Sequence, residues 1–210
     1  YAMQSIDGVE LNRYARSREL DEKAILTLMI KLSEAVCFAH LNGIIHRDLK
    51  PGNVLVTKAE GEPKILDFGL AKSFTGGDSQ NNVSIAGEVV GTPMYMAPEQ
   101  LSATGVDDRV DIYALGLTLF FSLTGRDPYP GRGLDSLMMA QLHEQLEAVS
   151  EVNPEVEGEH LINWVVQTAI AKDPMHRFQN ALQLQQALEA CKGKLPSGEY
   201  PTLSFDQGVL

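Results

Sequence analysis

The sequence predicts an α+β fold that is mostly α-helical and carries a small β-hairpin. Apolar residues recur at helical spacing in several long segments, the first of which lies between Asp21 and Gly43. Two short apolar runs, Val54-Leu55-Val56 and Lys64-Ile65-Leu66, flank the turn-prone pair Glu60-Gly61. Runs of this length on either side of a turn are typical of a hairpin.

Each remaining element follows from its own local pattern. The first helix should begin after Asp21, a residue favoured at helix starts, and should end before Gly43. Beyond Glu99 the chain turns helical, and residues 110–123 are so uniformly apolar that they predict a helix buried on nearly all sides. Polar residues with little periodicity fill residues 72–90, which indicates an exposed loop. Amphipathic patterns predict three further helices, at residues 134–148, 160–171 and 180–191.

Composition and charge narrow the class of protein. A chain of 210 residues with 44% hydrophobic residues fits one large domain or a lobe of a bigger one. The formal charge of −11 argues against nucleic acid or an anionic membrane as a partner. No uninterrupted run approaches the roughly 18 apolar residues of a membrane span, so no membrane contact is expected from this segment.

The two cysteines bear on the compartment. Cys37 and Cys191 lie far apart in the sequence and belong to no CxxC pair. Two reduced thiols in a cytoplasmic protein are the simplest interpretation, and a structural disulfide is the alternative.

The residues that carry chemistry lie between the first helix and the hairpin, and just after the hairpin. The run His46-Arg47-Asp48-Leu49-Lys50-Pro51-Gly52-Asn53 puts a carboxylate, an ammonium and an amide into one short loop, and Asp67-Phe68-Gly69 adds a second carboxylate. Phosphoryl transfer needs such groups to position its reactants and to offset negative charge. Taken singly, Asp or Asn beside Pro and Gly is more simply a turn residue.

Three motifs in one order decide between these interpretations. The first run matches the pattern H-R-D-L-x-x-x-N, and it is followed by D-F-G and then by Ala97-Pro98-Glu99. In this order the motifs resemble those of the protein kinase superfamily, serine/threonine type. The sequences of residues 91–100 and 107–113 are most similar to those of the bacterial, eukaryotic-like members of the family.

The resemblance implies a role for each polar residue of the loop. Asp48 would accept the proton of the substrate hydroxyl, Lys50 would reach the γ-phosphate of ATP, and Thr92 would hydrogen-bond near both. Asn53 and Asp67 would bind Mg²⁺ and, through it, the nucleotide. The expected cofactors are therefore ATP and Mg²⁺.

Adenine binding is implied at the beginning of the chain. Residues 1–11 resemble the hinge between kinase lobes, where Gln4 and Ile6 would contact adenine through their backbone. Glu10 would contact the ribose, and Leu55 would form the apolar floor under the ring. An ordinary surface position is the alternative for Glu10.

Three further residues are implied to be structural. Glu99 should pair with Arg177 as a buried ion pair. Asp111 should accept hydrogen bonds from the backbone of the catalytic loop, although an Asp at the start of a helix is also favoured by the helix dipole. His46 should be a buried core histidine rather than a base or a metal ligand.

The resemblance also implies a domain division. Residues 1–11 would be a hinge remnant, residues 12–191 the kinase C-terminal lobe with its activation segment at 67–99, and residues 192–210 a linker or tail. The glycine-rich loop of the family, its strand lysine and its helix glutamate have no counterpart in the sequence. We therefore expect the N-terminal β-rich lobe to be absent from this chain, which should be inactive on its own.

The expected function of the complete protein is transfer of the γ-phosphate of ATP to Ser or Thr hydroxyls of protein substrates. The missing N-terminal lobe would be a partner of this chain. A non-catalytic binding or scaffold module of the pseudokinase type is the alternative. Many of the bacterial kinases that the chain resembles continue into a membrane span and a sensor domain.

Overall fold

A computed structural model describes residues 7–18, 20–66, 93–156 and 159–193. Within these ranges the chain forms a small sheet and a larger helical body. The strands are β1 (Gly8–Glu10), β2 (Val54–Thr57) and β3 (Pro63–Ile65). The helices are α1 (Leu11–Arg18), α2 (Glu22–Leu41), α3 (Pro98–Ser102), α4 (Arg109–Thr124), α5 (Leu134–His143), α6 (Val149–Val152), α7 (Glu159–Ala169) and α8 (Ala181–Gly193).

The sheet is antiparallel with the strand order β1-β2-β3. Strands β2 and β3 form the predicted hairpin, with Val54 opposite Ile65. Its turn uses Gly61 at a φ of +66°, a left-handed conformation that glycine adopts without strain. Strand β1 was not predicted, and it pairs with the other edge of β2 so that Glu10 lies opposite Leu55.

Helix α2 begins and ends where its sequence pattern predicts. The Asp21 carboxylate accepts a hydrogen bond from the amide of Ala24 at 2.8 Å, which satisfies one of the unpaired N–H groups at the helix start. After Leu41 the chain leaves the helix, and Gly43 adopts a φ of +74°. The helix buries Leu26, Met29, Leu32 and Val36, among others, in the main core.

Helix α2 packs mainly against α8 and also against α4. By length and composition alone it would also qualify as a membrane-spanning helix, and 44% of its most apolar window is buried in the protein. Lys31 on this helix forms an ion pair with Glu62 of the hairpin turn. Its packing on two helices is that of a core helix in a folded domain.

Helix α4 is the centre of the molecule. Every residue from Val110 to Leu123 is buried, as its uniformly apolar sequence predicts. Gly116 allows α7 to approach closely, because a Cβ at this position would lie 2.7 Å from both the Ala169 and the Ile170 side chain. The core of the domain therefore surrounds this helix on all sides.

Three helices end two or more residues away from their predicted ends. Helix α5 ends at His143 rather than at residue 148, because the Tyr129 hydroxyl donates to the Glu144 carbonyl at 3.3 Å and Arg132 binds the Glu144 carboxylate. Helix α8 continues to Gly193, beyond the predicted start of the tail at residue 192. Helix α7 ends at Ala169, before the predicted end at residue 171. The predicted loop at 72–90 and residues 194–210 lie outside the described residues.

Candidate active site

The loop that follows α2 is fixed to the first turn of α4 by Asp111. One carboxylate oxygen accepts the backbone N–H of His46 at 2.8 Å, and the other accepts the backbone N–H of Arg47 at 2.8 Å. Asp111 is 1% exposed, so both bonds lie in a water-excluded setting where an unpaired carboxylate would be costly. The expected contact with the loop backbone is confirmed, and the favourable position near the helix N-terminus adds to it.

His40 is a third partner of Asp111 that sequence reasoning missed. Its Nε2 donates to Asp111 Oδ2 at 2.8 Å, and its Nδ1 lies 3.7 Å from an Asp108 carboxylate oxygen. The bond joins the end of α2 to the start of α4. No sequence signal distinguishes this histidine from other polar residues on an amphipathic helix, because its partner is 71 residues away.

Arg47 is held in an unusual backbone conformation. Its φ is +65°, a left-handed value that costs a non-glycine residue roughly 1–3 kcal/mol. Its carbonyl accepts a hydrogen bond from Gln100 Nε2 at 2.9 Å, and Gln100 Oε1 in turn accepts the amide of Ala97 at 2.9 Å. Hydrogen bonds on both sides of the residue, to Asp111 and to Gln100, stabilise this conformation.

His46 is buried, as predicted, and both ring nitrogens are engaged. It is 2% exposed. Its Nε2 donates to the Leu66 carbonyl at 2.8 Å, and its Nδ1 accepts the amide of Asp48 at 3.2 Å. The ring therefore connects the catalytic loop to the end of β3 and has no free nitrogen with which to act as a base or a metal ligand.

The structure brings Asp48, Lys50 and Asn53 together. The Lys50 ammonium lies 3.0 and 3.2 Å from the two carboxylate oxygens of Asp48. The Asn53 amide donates to the Asp48 carbonyl at 2.7 Å and to its carboxylate at 2.9 Å. The Asp48 side chain is 56% exposed and the Lys50 side chain 24%, so an accessible carboxylate lies beside a partly covered cation.

The orientation of Asn53 bears on metal binding. Because its NH₂ group donates to Asp48, its Oδ1 is left as an acceptor for another group. Its backbone carbonyl accepts the amide of Leu66 at 2.8 Å, which places the residue preceding Asp67 beside the loop. An amide oxygen and a carboxylate are the hard ligands that suit Mg²⁺.

Four predicted site residues lie outside the described part of the chain: Gln4, Ile6, Asp67 and Thr92. Within the described ranges, no cluster of three or more His, Cys, Asp or Glu side chains is arranged for a metal. The roles assigned to these four residues therefore stay predictions.

Glu10 and Leu55 are neighbours across the sheet, since they are direct partners of β1 and β2. The Glu10 side chain is 41% exposed and approaches Arg13 only to 4.0 Å. Its carboxylate is thus accessible from the same part of the sheet as Leu55. The proposed contacts with ribose and adenine stay predictions.

The predicted ion pair between Glu99 and Arg177 is present and buried. The two guanidinium nitrogens lie 2.6 and 2.8 Å from the two carboxylate oxygens. Arg177 also donates to the carbonyls of Ala171, Arg109 and Lys172, at 2.7, 3.1 and 3.1 Å. This arrangement joins α3 to the chain between α7 and α8.

Comparison with known proteins is consistent with this site. The chain is 34% identical over 197 residues to a probable serine/threonine-protein kinase of Streptomyces coelicolor, covering 93% of this chain and 28% of that protein. It is 34% identical over 190 residues to the serine/threonine-protein kinase PknB of Mycobacterium tuberculosis, covering 89% of this chain and 29% of PknB. The chain thus spans less than a third of the length of these relatives.

The fold also resembles that of a solved structure. A double mutant of the Mycobacterium tuberculosis PknI kinase domain matches with a TM-score of 0.67 at 24% identity, covering 91% of this chain and 65% of that one. The protein kinase domain family matches residues 1–189. With three ordered motifs and this match over most of its length, the chain belongs to the protein kinase family.

Proposed function

We propose that this chain supplies the catalytic loop of a serine/threonine protein kinase, which transfers the γ-phosphate of ATP to Ser or Thr hydroxyls of protein substrates. The observation that carries the proposal is the arrangement of Asp48, Lys50 and Asn53. A cation and an amide both lie within hydrogen-bond distance of one accessible carboxylate, on a loop that Asp111 fixes to the core. The names of the relatives support the serine/threonine class.

In this proposal Asp48 orients the acceptor hydroxyl and takes its proton. General bases contribute roughly 10²-fold to 10⁴-fold to rate as a class. Lys50, whose ammonium lies 3.0 Å from that carboxylate, offsets negative charge on the transferred group. The short distance between the two side chains means that a hydroxyl beside Asp48 also lies beside the cation.

Asn53, together with Asp67, would hold Mg²⁺ beside the ATP phosphates. The donor set fits, since the Asn53 amide nitrogen is used by Asp48 and its oxygen is the atom left for a ligand. When bound, the metal ion neutralises phosphate charge. The contribution of this chain is to orient Asn53 through its two hydrogen bonds to Asp48.

We further propose that the groups that clamp the ATP phosphates come from a β-rich lobe outside residues 1–210. No G-x-G-x-x-G sequence occurs in the chain. The matched PknI domain is covered over only 65% of its length. Residues 1–210 alone should therefore show no measurable turnover with Mg²⁺-ATP, whereas the complete protein should be active.

The compartment is proposed to be the cytoplasm. Both cysteines are free in the structure, and burial raises the pKa of the Cys191 thiol to about 12, which makes it unreactive. Cell fractionation of the complete protein tests this and also reports any membrane attachment.

The catalytic proposal is tested in the complete protein with Asp48→Asn. This change keeps the shape of the side chain but removes the base, so kcat/KM for a protein acceptor should fall about 100-fold or more. Asp127→Asn is the control, because Asp127 is an exposed carboxylate outside the loop and its loss should leave the rate unchanged.

Two results would overturn the proposal. Full activity of Asp48→Asn would remove Asp48 from the mechanism. A complete protein that binds Mg²⁺-ATP or its partners yet transfers no phosphate under any condition would favour the alternative, a pseudokinase-type binding module.

A further inference from the structure

A polar cluster of three buried residues and the half-buried Lys172 packs against the segment that follows Thr92. Its members are Tyr113 of α4, Gln141 of α5, Tyr129 between these helices, and Lys172 after α7. Tyr113 and Gln141 are both 0% exposed and Tyr129 is 4% exposed. We name these four residues the Lys172 cluster. Among the described residues, none of its bonds involves Asp48, Lys50 or Asn53.

The hydrogen bonds of the cluster fix the orientation of Gln141. The Tyr113 hydroxyl donates to Gln141 Oε1 at 2.6 Å, so the NH₂ group of the amide must face the other way. That NH₂ group donates to the carbonyl of Pro93 at 3.3 Å and also to the carbonyl of Met94. One buried side chain therefore binds two consecutive backbone carbonyls of the segment.

Lys172 holds the cluster together from its other side. Its ammonium lies 2.8 Å from the Gln141 carbonyl, 3.0 Å from the Tyr129 hydroxyl and 3.3 Å from the Tyr113 hydroxyl. It also lies 5.7 and 5.5 Å from the centroids of the two tyrosine rings. Cation–π attraction thus supplements its hydrogen bonds.

The cluster costs more desolvation free energy than a purely structural contact needs. No described carboxylate lies within salt-bridge distance of Lys172, and burial, followed by the charge of Arg177, lowers the pKa of this lysine to about 8. Apolar side chains would fill the same volume without desolvating a cation. What the polar groups add is a fixed direction for the Gln141 amide.

We propose that Gln141, oriented by Tyr113 and Lys172, is a positioning residue for the acceptor protein, because it sets the place of the Pro93–Met94 backbone. This rests on the proposed function and on the sequence of residues 91–100, which resembles the substrate-docking end of the kinase activation segment. ATP binding involves Asn53 and Leu55, which are not bonded to the cluster. The proposal therefore predicts an effect on binding of the acceptor protein and no effect on binding of the nucleotide.

The test compares steady-state kinetics of the complete protein with those of Gln141→Glu and Gln141→Leu. Gln141→Glu keeps an acceptor for Tyr113 but loses both N–H donors to the segment. Each variant should raise KM for the acceptor protein about tenfold, as expected for the net loss of one or two hydrogen bonds. KM for ATP should not change.

Gln167→Leu is the matched control. Gln167 Nε2 donates to the Leu146 carbonyl at 3.0 Å, so this variant loses the same kind of amide-to-carbonyl bond elsewhere in the helical body. It should lower the melting temperature without changing KM for the acceptor. If Gln167→Leu and Gln141→Glu changed KM equally, the effect would be one of general stability and the proposal would be wrong.

Hydrogen exchange provides a readout that needs no catalysis. Peptide amides of residues 94–96 should exchange faster in Gln141→Glu than in the wild type, while those of α4 should not. If the wild type were inactive but Gln141→Glu still showed this exchange pattern, the proposed function would be wrong, while the role of Gln141 in placing the segment would be supported. An active wild type whose exchange and acceptor KM are unaffected by Gln141→Glu would overturn the inference alone.

Discussion

Loss of the Glu99 carboxylate should destabilise the domain more than any exposed ion pair can. Glu99→Gln keeps the size of the side chain and removes only its charge. The Arg177 guanidinium, which is 0% exposed, would then remain in the interior with neutral partners alone. Its three backbone carbonyl acceptors cannot replace a carboxylate that lies 2.6 and 2.8 Å away.

The magnitude follows from burial. Removing one partner of a buried ion pair costs about 3–5 kcal/mol in unfolding free energy, because the other charge is left desolvated and unpaired. Domains of this kind are stable by only about 5–15 kcal/mol, so the variant should remain folded with a small margin. For the exposed pair of Arg126 and Glu147, at 2.9 Å and with side chains 44% and 54% exposed, the same change should cost about 0–1 kcal/mol.

Urea titration of the chain measures both values. The sequence has one tryptophan, Trp164. Its ring packs edge-on against that of Phe178, the residue that follows Arg177, with 5.6 Å between the ring centroids. Its fluorescence should therefore report unfolding of this region. Glu147→Gln is the control, and the double variant Glu99→Leu with Arg177→Met should recover part of the loss, since it leaves no unpaired charge. A loss below about 1 kcal/mol for Glu99→Gln would refute the reasoning.

Three other outcomes follow from single contacts. Gly116→Ala should cost about 1–3 kcal/mol by overpacking, because its Cβ would lie 2.7 Å from Ala169, and denaturant titration measures the loss. Asp21→Ala should cost about 1 kcal/mol by the same measurement, since the start of α2 loses its side-chain cap. Lys172 should make stability rise with pH between about 8 and 10.5, because the unfolded chain keeps this proton after the folded protein has lost it. Relative to Lys172→Met, the wild type should therefore gain unfolding free energy over this range, and a flat difference would contradict the lowered pKa.

Elements with a strong local pattern were predictable from sequence. Helix α2 has a cap residue, a helical period and a terminal glycine, and α4 has a long apolar run. Helix α1 lacks such a signal, because arginines and other polar residues separate its few apolar ones. What places it is tertiary burial, since Leu11 is 1% exposed in the main core.

The candidate site was predictable where its residues are close in sequence. Asp48, Lys50 and Asn53 belong to the same short loop, so their spacing in the sequence is enough to bring them together. His40, Gln100 and Gln141 were not predicted, because their partners lie 71, 53 and 48 residues away. Pairing over such distances depends on how the helices pack, which no local pattern contains.

The hydrogen bonds to Asp111 also have a consequence for biosynthesis. The ribosome completes the loop at His46 before the carboxylate that fixes it, which follows 65 residues later. The ion pair of Glu99 and Arg177 likewise joins two residues that lie 78 positions apart. Translation proceeds at roughly 5–20 residues per second. For several seconds the nascent chain therefore contains the whole loop but not yet Asp111, which accepts the N–H groups of His46 and Arg47. The loop can therefore take its final shape only after translation has passed α4, so chains released earlier carry the motif without its geometry.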